Sequence, residues 1–118
     1  MKTLQFALLC GALALASSAQ AGNETGPELY KMYCTQCHGF QGNGLGVNAA
    51  HMAVLPRKHT DPVEMGARQD PDLFKVIKEG GPSINKSVLM PAWGHYLSDE
   101  QIEKLVHHLR VLCCGAQP

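Results

Sequence analysis

Aromatic residues are scarce in this chain: of 118 positions only three are Phe, three Tyr and one Trp. So little aromatic volume leaves the centre to aliphatic side chains, or to something the chain does not itself supply. An excess of one charge is missing as well. Ten Lys and Arg stand against ten Asp and Glu, which excludes the strong field that draws a protein to nucleic acid or to an acidic membrane surface. No run shows the two-residue alternation of a half-buried strand, and no segment repeats along the chain. At this length a second domain would have almost no core, so one domain is expected.

Glycine and proline, by contrast, are plentiful, at 12 and 7 residues, a composition that suits short helices joined by long connections. A hydrophobic content of 45% is ordinary and disfavours disorder. The longest apolar run, Leu4 to about Ala16, follows Lys2 and precedes Ser17-Ser18-Ala19-Gln20-Ala21. That is the pattern of a secretory signal with an A-x-A cleavage site, and the run falls short of the roughly 20 residues a membrane span requires. Residues 1–21 are therefore expected to be a cleaved signal peptide. Residues 22–118 would form a soluble periplasmic domain with nine basic and ten acidic side chains. That domain retains Cys34, Cys37, Cys113 and Cys114.

Capping signals place its helices. Thr25 and Glu28 make a capping box, with Pro27 in the first turn of a helix to about Cys34. Asp61-Pro62 opens a one-turn helix ending at Gly66. Asp70-Pro71 starts a helix with Leu73, Phe74, Val76 and Ile77 as its buried side, stopped at Gly80-Gly81-Pro82. Ser98 and Gln101 cap the last and longest helix, which carries Ile102, Leu105, Val106, Leu109 and Leu112 to Gly115. Between them, GFQGNGLG at 39–46 reads as a loop. About a third of the expected domain, from Gly39 to about Asp70, lacks a continuous apolar face, so a further component is expected at the centre.

Residues 34–38 read CTQCH, the C-x-x-C-H attachment signature of a c-type haem. Two thiols one helical turn apart reach the two vinyl groups of a porphyrin, and the adjacent imidazole reaches the iron. Cys34 and Cys37 are thus the expected thioethers and His38 an axial ligand. Three other readings stay open at this point: a redox dithiol, which would want a βαβ context; a zinc site with Cys113, Cys114, His107 or His108; and a structural disulfide. For the second axial position the mature chain offers Met32, Met52, Met65 and Met90. Met90 precedes Pro91, which imposes an extended backbone, and sits in a loop between helices. His51, His59, His95 and an open position are the alternatives, while His107 and His108 are expected to face solvent.

With Tyr30 four places before Cys34, Pro56-Arg57-x-x-Thr60, Gly80-Gly81 and Met90-Pro91-Ala92-Trp93, the chain resembles the class I c-type cytochromes, here a small soluble bacterial monohaem form. The resemblance covers essentially all of residues 22–118. It implies an all-α fold of three to four helices with long loops around one covalently bound haem, and a crossing of Leu29 and Tyr30 with Leu105 and Leu109. It also implies Met90 as the second axial ligand, and Arg57 and Trp93 as hydrogen-bond donors to haem propionates. The sequence departs from the family at Val47, where a proline whose carbonyl orients the histidine is common.

The implied function is one-electron transfer without catalysis, between transient redox protein partners: a dehydrogenase or reductase as donor and an oxidase or reductase as acceptor. Lys78 and Lys86 are expected to rim the exposed haem edge. The alternative is a haem-based small-ligand sensor or weak peroxidase, should Met90 dissociate. Cys113 and Cys114 are expected to be exposed thiols able to form a disulfide-linked dimer.

Overall fold

The computed structural model describes residues 22–116, so the expected signal peptide lies outside the described residues. Five α-helical segments follow one another: α1 (Gly26–Tyr33), α2 (Thr35–His38), α3 (Pro62–Gly66), α4 (Asp70–Glu79) and α5 (Asp99–Cys114). Single 3-10 turns occupy Ala49–His51 and Gly81–Ile84. Among the described residues there is no strand, and no helix is long and apolar enough to cross a membrane. The architecture is the expected all-α one. The count exceeds three to four because α2 is a one-turn continuation of α1, offset at Cys34.

The caps explain the boundaries. The Thr25 N–H donates to the Glu28 carboxylate at 2.8 Å, closing the start of α1. At α5 the Gln101 N–H donates to Ser98 Oγ at 3.2 Å and the Ser98 N–H to Gln101 Oε1 at 2.9 Å. α4 begins one residue earlier than its sequence suggests. Gln69 is the cap, and Asp70 joins Pro71 in the first turn, where its charge complements the helix dipole.

α1 crosses α5, and Leu29, Tyr30, Leu105 and Leu109 are all buried in one cluster with Ile102, Met65, Leu73 and Ile77. The crossing depends on Gly26: a β-carbon there would lie 2.4 Å from the Lys104 carbonyl oxygen and 2.9 Å from His108 Cβ. Arg110 on α5 ties in the middle of the chain. Its guanidinium donates to the carbonyls of Met65 and Arg68 and to Asp70 Oδ1, the last at 2.7 Å.

The long connections are ordered by backbone hydrogen bonds. In the glycine-rich loop, Gly44 N–H donates to His38 O, Gly46 N–H to Cys37 O and Asn48 N–H to Gln36 O, at 2.8, 3.1 and 2.9 Å. Near residue 90, Gly81 N–H donates to Met90 O and Trp93 N–H to Ile77 O, both at 2.9 Å. These bonds hold the two loops to α2 and to the C-terminal end of α4, with a cleft between the packed elements.

Candidate functional site

The cleft has a volume of about 760 Å³ and an apolar lining, a size that suits a whole cofactor rather than a small metabolite. α1 and α2 contribute Tyr33, Cys34, Cys37 and His38. The 52–59 segment contributes Met52, Arg57 and His59, and the loop before α5 contributes Lys86, Leu89, Met90 and Trp93. Cys34, Cys37, His38, Met90, Arg57 and Trp93, picked out from sequence, therefore meet at one cavity.

Cys34 and Cys37 are unpaired and half-buried. Burial, with a smaller contribution from Cys37, pushes the Cys34 thiol up to about 12. That is the reverse of the lowered value a redox dithiol uses to form thiolate. Among the described residues there is also no strand to give the βαβ context a redox dithiol would want. Among the described residues, no group of three or more His, Cys, Asp or Glu side chains is arranged to hold a metal ion, and Cys113 and Cys114, weighed as zinc ligands, are bonded to each other.

His38 Nδ1 lies 2.9 Å from the Arg57 carbonyl oxygen. A carbonyl only accepts, so Nδ1 carries the proton and Nε2 is the nitrogen with a free lone pair. Burial lowers the His38 pKa, opposed in part by this hydrogen bond, and so favours the neutral ring. The orienting carbonyl comes from the residue after Pro56, which compensates for the missing proline at Val47. His59 is buried and lies flat against His38, ring centroids 4.0 Å apart with an interplanar angle of 18°. Two ligands on opposite faces of an iron would be in line rather than stacked, so His59 is not placed as a second axial ligand. Its own pKa is pushed well down, first by burial and then by His38.

Met90 is half-buried against the core, and its carbonyl is fixed by Gly81. The competing His51 and His95 are exposed and absent from the cleft lining. Met65 is fully buried in the core. Arg57 pairs with Glu64, and both line the cleft, as does Arg68. Burial first, then the nearby Arg68 charge, lower the Arg57 pKa, opposed by Asp61. Trp93 stacks at a tilt on Tyr33, with centroids 5.1 Å apart.

Three expectations require correction. Lys78 does not stand free at a rim, because its ammonium is tied to both oxygens of Asp99 at 2.7 and 2.9 Å. His108 is not simply solvent-facing: it is half-buried with its ring edge-on to Tyr30 at 5.1 Å. Cys113 and Cys114 form a disulfide with each other, so neither sulfur is left for a dimer. Adjacent thiols, with Cα atoms 3.7 Å apart, meet at an effective concentration no second chain matches. Two residues of the site escape sequence reasoning: Arg68 belongs to no recognisable pattern, and His59 reads from sequence only as a candidate ligand.

Comparisons with known proteins agree with this site. The family model described as "Cytochrome C oxidase, cbb3-type, subunit III" matches residues 21–109. The gluconate 2-dehydrogenase cytochrome c subunit of Pantoea cypripedii is 28% identical over 93 residues, 75% of this chain and 20% of that protein. The chain thus spans about a fifth of the length of that curated relative. Among solved structures, the KustC0563 c-type cytochrome superposes with a TM-score of 0.62 at 27% identity, covering 76% of this chain and 99% of that one. The Kuenenia stuttgartiensis reducing HAO-like protein complex Kustc0457/Kustc0458 gives 0.61 at 30% identity, over 76% of this chain and 43% of that one.

The chain belongs to the family of the matched model and is a class I c-type cytochrome. Membership brings covalently bound haem c and a role in haem-based electron transfer. The residues present fit that group: two unpaired cysteines one turn apart, an imidazole whose Nδ1 is already committed, and a thioether, all lining one apolar cleft.

Proposed function

We propose that the chain is an exported, periplasmic one-electron carrier holding a single haem in this cleft, tethered by Cys34 and Cys37, with His38 and Met90 as axial ligands. Residues 1–21 are its cleaved signal peptide and residues 22–118 its one domain. The observation that carries the reading is the convergence of these four side chains on one cavity, with His38 Nε2 left uncommitted by the Arg57 carbonyl. Bound there, haem supplies one-electron exchange between ferrous and ferric iron.

The chain does the rest. The Arg57 carbonyl keeps His38 in the tautomer a metal needs and increases its basicity as a ligand. The Met90 thioether, a soft donor, favours the reduced state and so raises the potential. Arg57 and Arg68, both lining the cleft, supply positive charge for the carboxylates of the propionates, and Trp93 supplies an N–H donor. Exposed Val54, Leu55 and Leu89 line the cleft, and Lys58 and Lys86 add positive charge to its lining. With a net charge near zero, that surface suits brief, mainly apolar encounters with redox proteins. The relative that is a cytochrome c subunit of a dehydrogenase supports a dehydrogenase as donor.

Intact-mass measurement on periplasmic protein made with haem-attachment machinery tests this. A chain beginning at Gly22 with the mass of one haem is expected, and Cys34→Ala or Cys37→Ala should each lose one thioether. A haem-free mature chain, or one retaining residues 1–21, would overturn the reading.

A further inference from the structure

The hydrogen bond to Arg57 fixes which nitrogen of His38 is free, but it does little to fix the plane of the ring. Nδ1 lies close to the axis running from Nε2 through the imidazole, so rotation about that axis moves Nδ1 only slightly. The carbonyl at 2.9 Å therefore tolerates a range of ring orientations. A flat neighbour does not, because rotation drives the edge of one ring into the face of the other.

Such a neighbour is present and is itself immobilised. The His59 ring lies parallel to His38 within 18° at 4.0 Å. His59 is 8% exposed, its backbone N–H donates to Gly42 O at 2.7 Å, and its Nδ1 shares a 2.9 Å hydrogen bond with the Tyr30 hydroxyl. Tyr30, 2% exposed, is held within the α1–α5 packing. Gly42 closes the remaining space: a β-carbon there would lie 3.2 Å from Leu112 Cδ1, 3.3 Å from His59 Cβ and 3.4 Å from Tyr30 Oη.

We propose that His59 is a positioning residue for the axial imidazole: its ring, tethered to Tyr30, lies flat on His38 and sets the rotation of that ring about its iron-binding nitrogen. This rests on His38 being an axial ligand. With haem bound, the plane of an axial imidazole would help decide, together with the orientation of the second ligand, which of two near-degenerate iron d orbitals holds the unpaired electron of the ferric state. His59 and Tyr30 would therefore contribute to that electronic asymmetry through the His38 ring alone.

The test is the proton NMR spectrum of the ferric holoprotein, in which the spread and order of the haem methyl shifts report the imidazole plane. His59→Leu should change that pattern while the optical spectrum stays low-spin. His59→Phe, which keeps a flat ring, should keep the pattern close to that of the unaltered protein. Tyr30→Phe, which removes only the tether, should move the shifts in the direction of His59→Leu by a smaller amount, and it decides the matter if His59→Leu does not load haem. An unchanged pattern in haem-loaded His59→Leu, or in Tyr30→Phe where the leucine variant fails, overturns the proposal. Failure of the ligand reading looks different: the unaltered protein itself would lack a low-spin ferric spectrum.

Discussion

In the cleft the His38 ring is contacted through its own atoms, by the Arg57 carbonyl at Nδ1 and by the flat face of His59. Met90, which lines the same cleft from the loop before α5, is instead held by main-chain bonds of that loop, Gly81 N–H to Met90 O and Trp93 N–H to Ile77 O. Its sequence neighbours Val88 and Leu89 are 79% and 56% exposed. A ring has an orientation to lose, and a flexible thioether can find its metal from several rotamers. Directional side-chain contacts accordingly surround His38, the proposed ring ligand, while the proposed methionine ligand needs only a loop in the right place.

The largest effect should come from removing the covalent anchor. Cys34→Ala with Cys37→Ala should abolish haem retention and leave a chain whose far-UV circular dichroism is mostly that of an unfolded polypeptide, since the cleft then has nothing to fill it. A stable helical chain would show that the surroundings of His38 organise themselves without the cofactor. The Met90 loop should fail more locally. Gly81→Ala places a β-carbon against the Ser87 carbonyl oxygen, 2.0 Å away. Relieving that overpacking costs roughly 1–3 kcal/mol, and the methionine–ferric absorption band should weaken while helical content is kept. An unchanged band would mean that the loop does not place Met90.

Arg110 lies outside both regions and serves as the reference. Arg110→Ala leaves the Met65 and Arg68 carbonyls without their donor, costing on the order of 1–3 kcal/mol, and it should lower thermal stability without altering the absorption spectrum. A shifted spectrum would extend the site's support to the α3–α5 contact. The smallest effect concerns pH. Burial holds the His59 pKa below its ordinary value of 6.5, so in acid the unfolded chain binds a proton that the folded one refuses. Stability is then complete above about pH 6.5 and falls below it, by at most about 1.4 kcal/mol per pH unit from this one group. Chemical denaturation at pH 7 and pH 5.5 should show a smaller loss for His59→Phe than for the unaltered protein. Equal losses would remove His59 as the source.

What was legible in the sequence was whatever is encoded by neighbours. Thr25 with Glu28, Ser98 with Gln101 and Asp61-Pro62 mark helix starts because caps act over three or four residues, and the structure places helices there. CTQCH is contiguous, so the candidate anchor could be read whole. Gly26 at the α1–α5 crossing, Arg68 beside Arg57 and the parallel pair His38–His59 depend on residues far apart in the chain, and no local pattern marks them. The Cys113–Cys114 bridge escaped for a different reason: neighbouring cysteines fall short of the usual disulfide separation, and that expectation outweighed their proximity.

The central claim is that Met90 closes the position opposite His38, leaving a carrier with no open site for a ligand. Absorption spectra of the ferric protein, and of the ferrous protein before and after carbon monoxide, test it most directly when Met90→Ala is measured alongside. The account predicts a low-spin ferric spectrum with a methionine–iron band and a ferrous spectrum unmoved by carbon monoxide, with the band lost and carbon monoxide bound in Met90→Ala. Rapid carbon monoxide binding by the unaltered protein, or a methionine–iron band that survives in Met90→Ala, would contradict it.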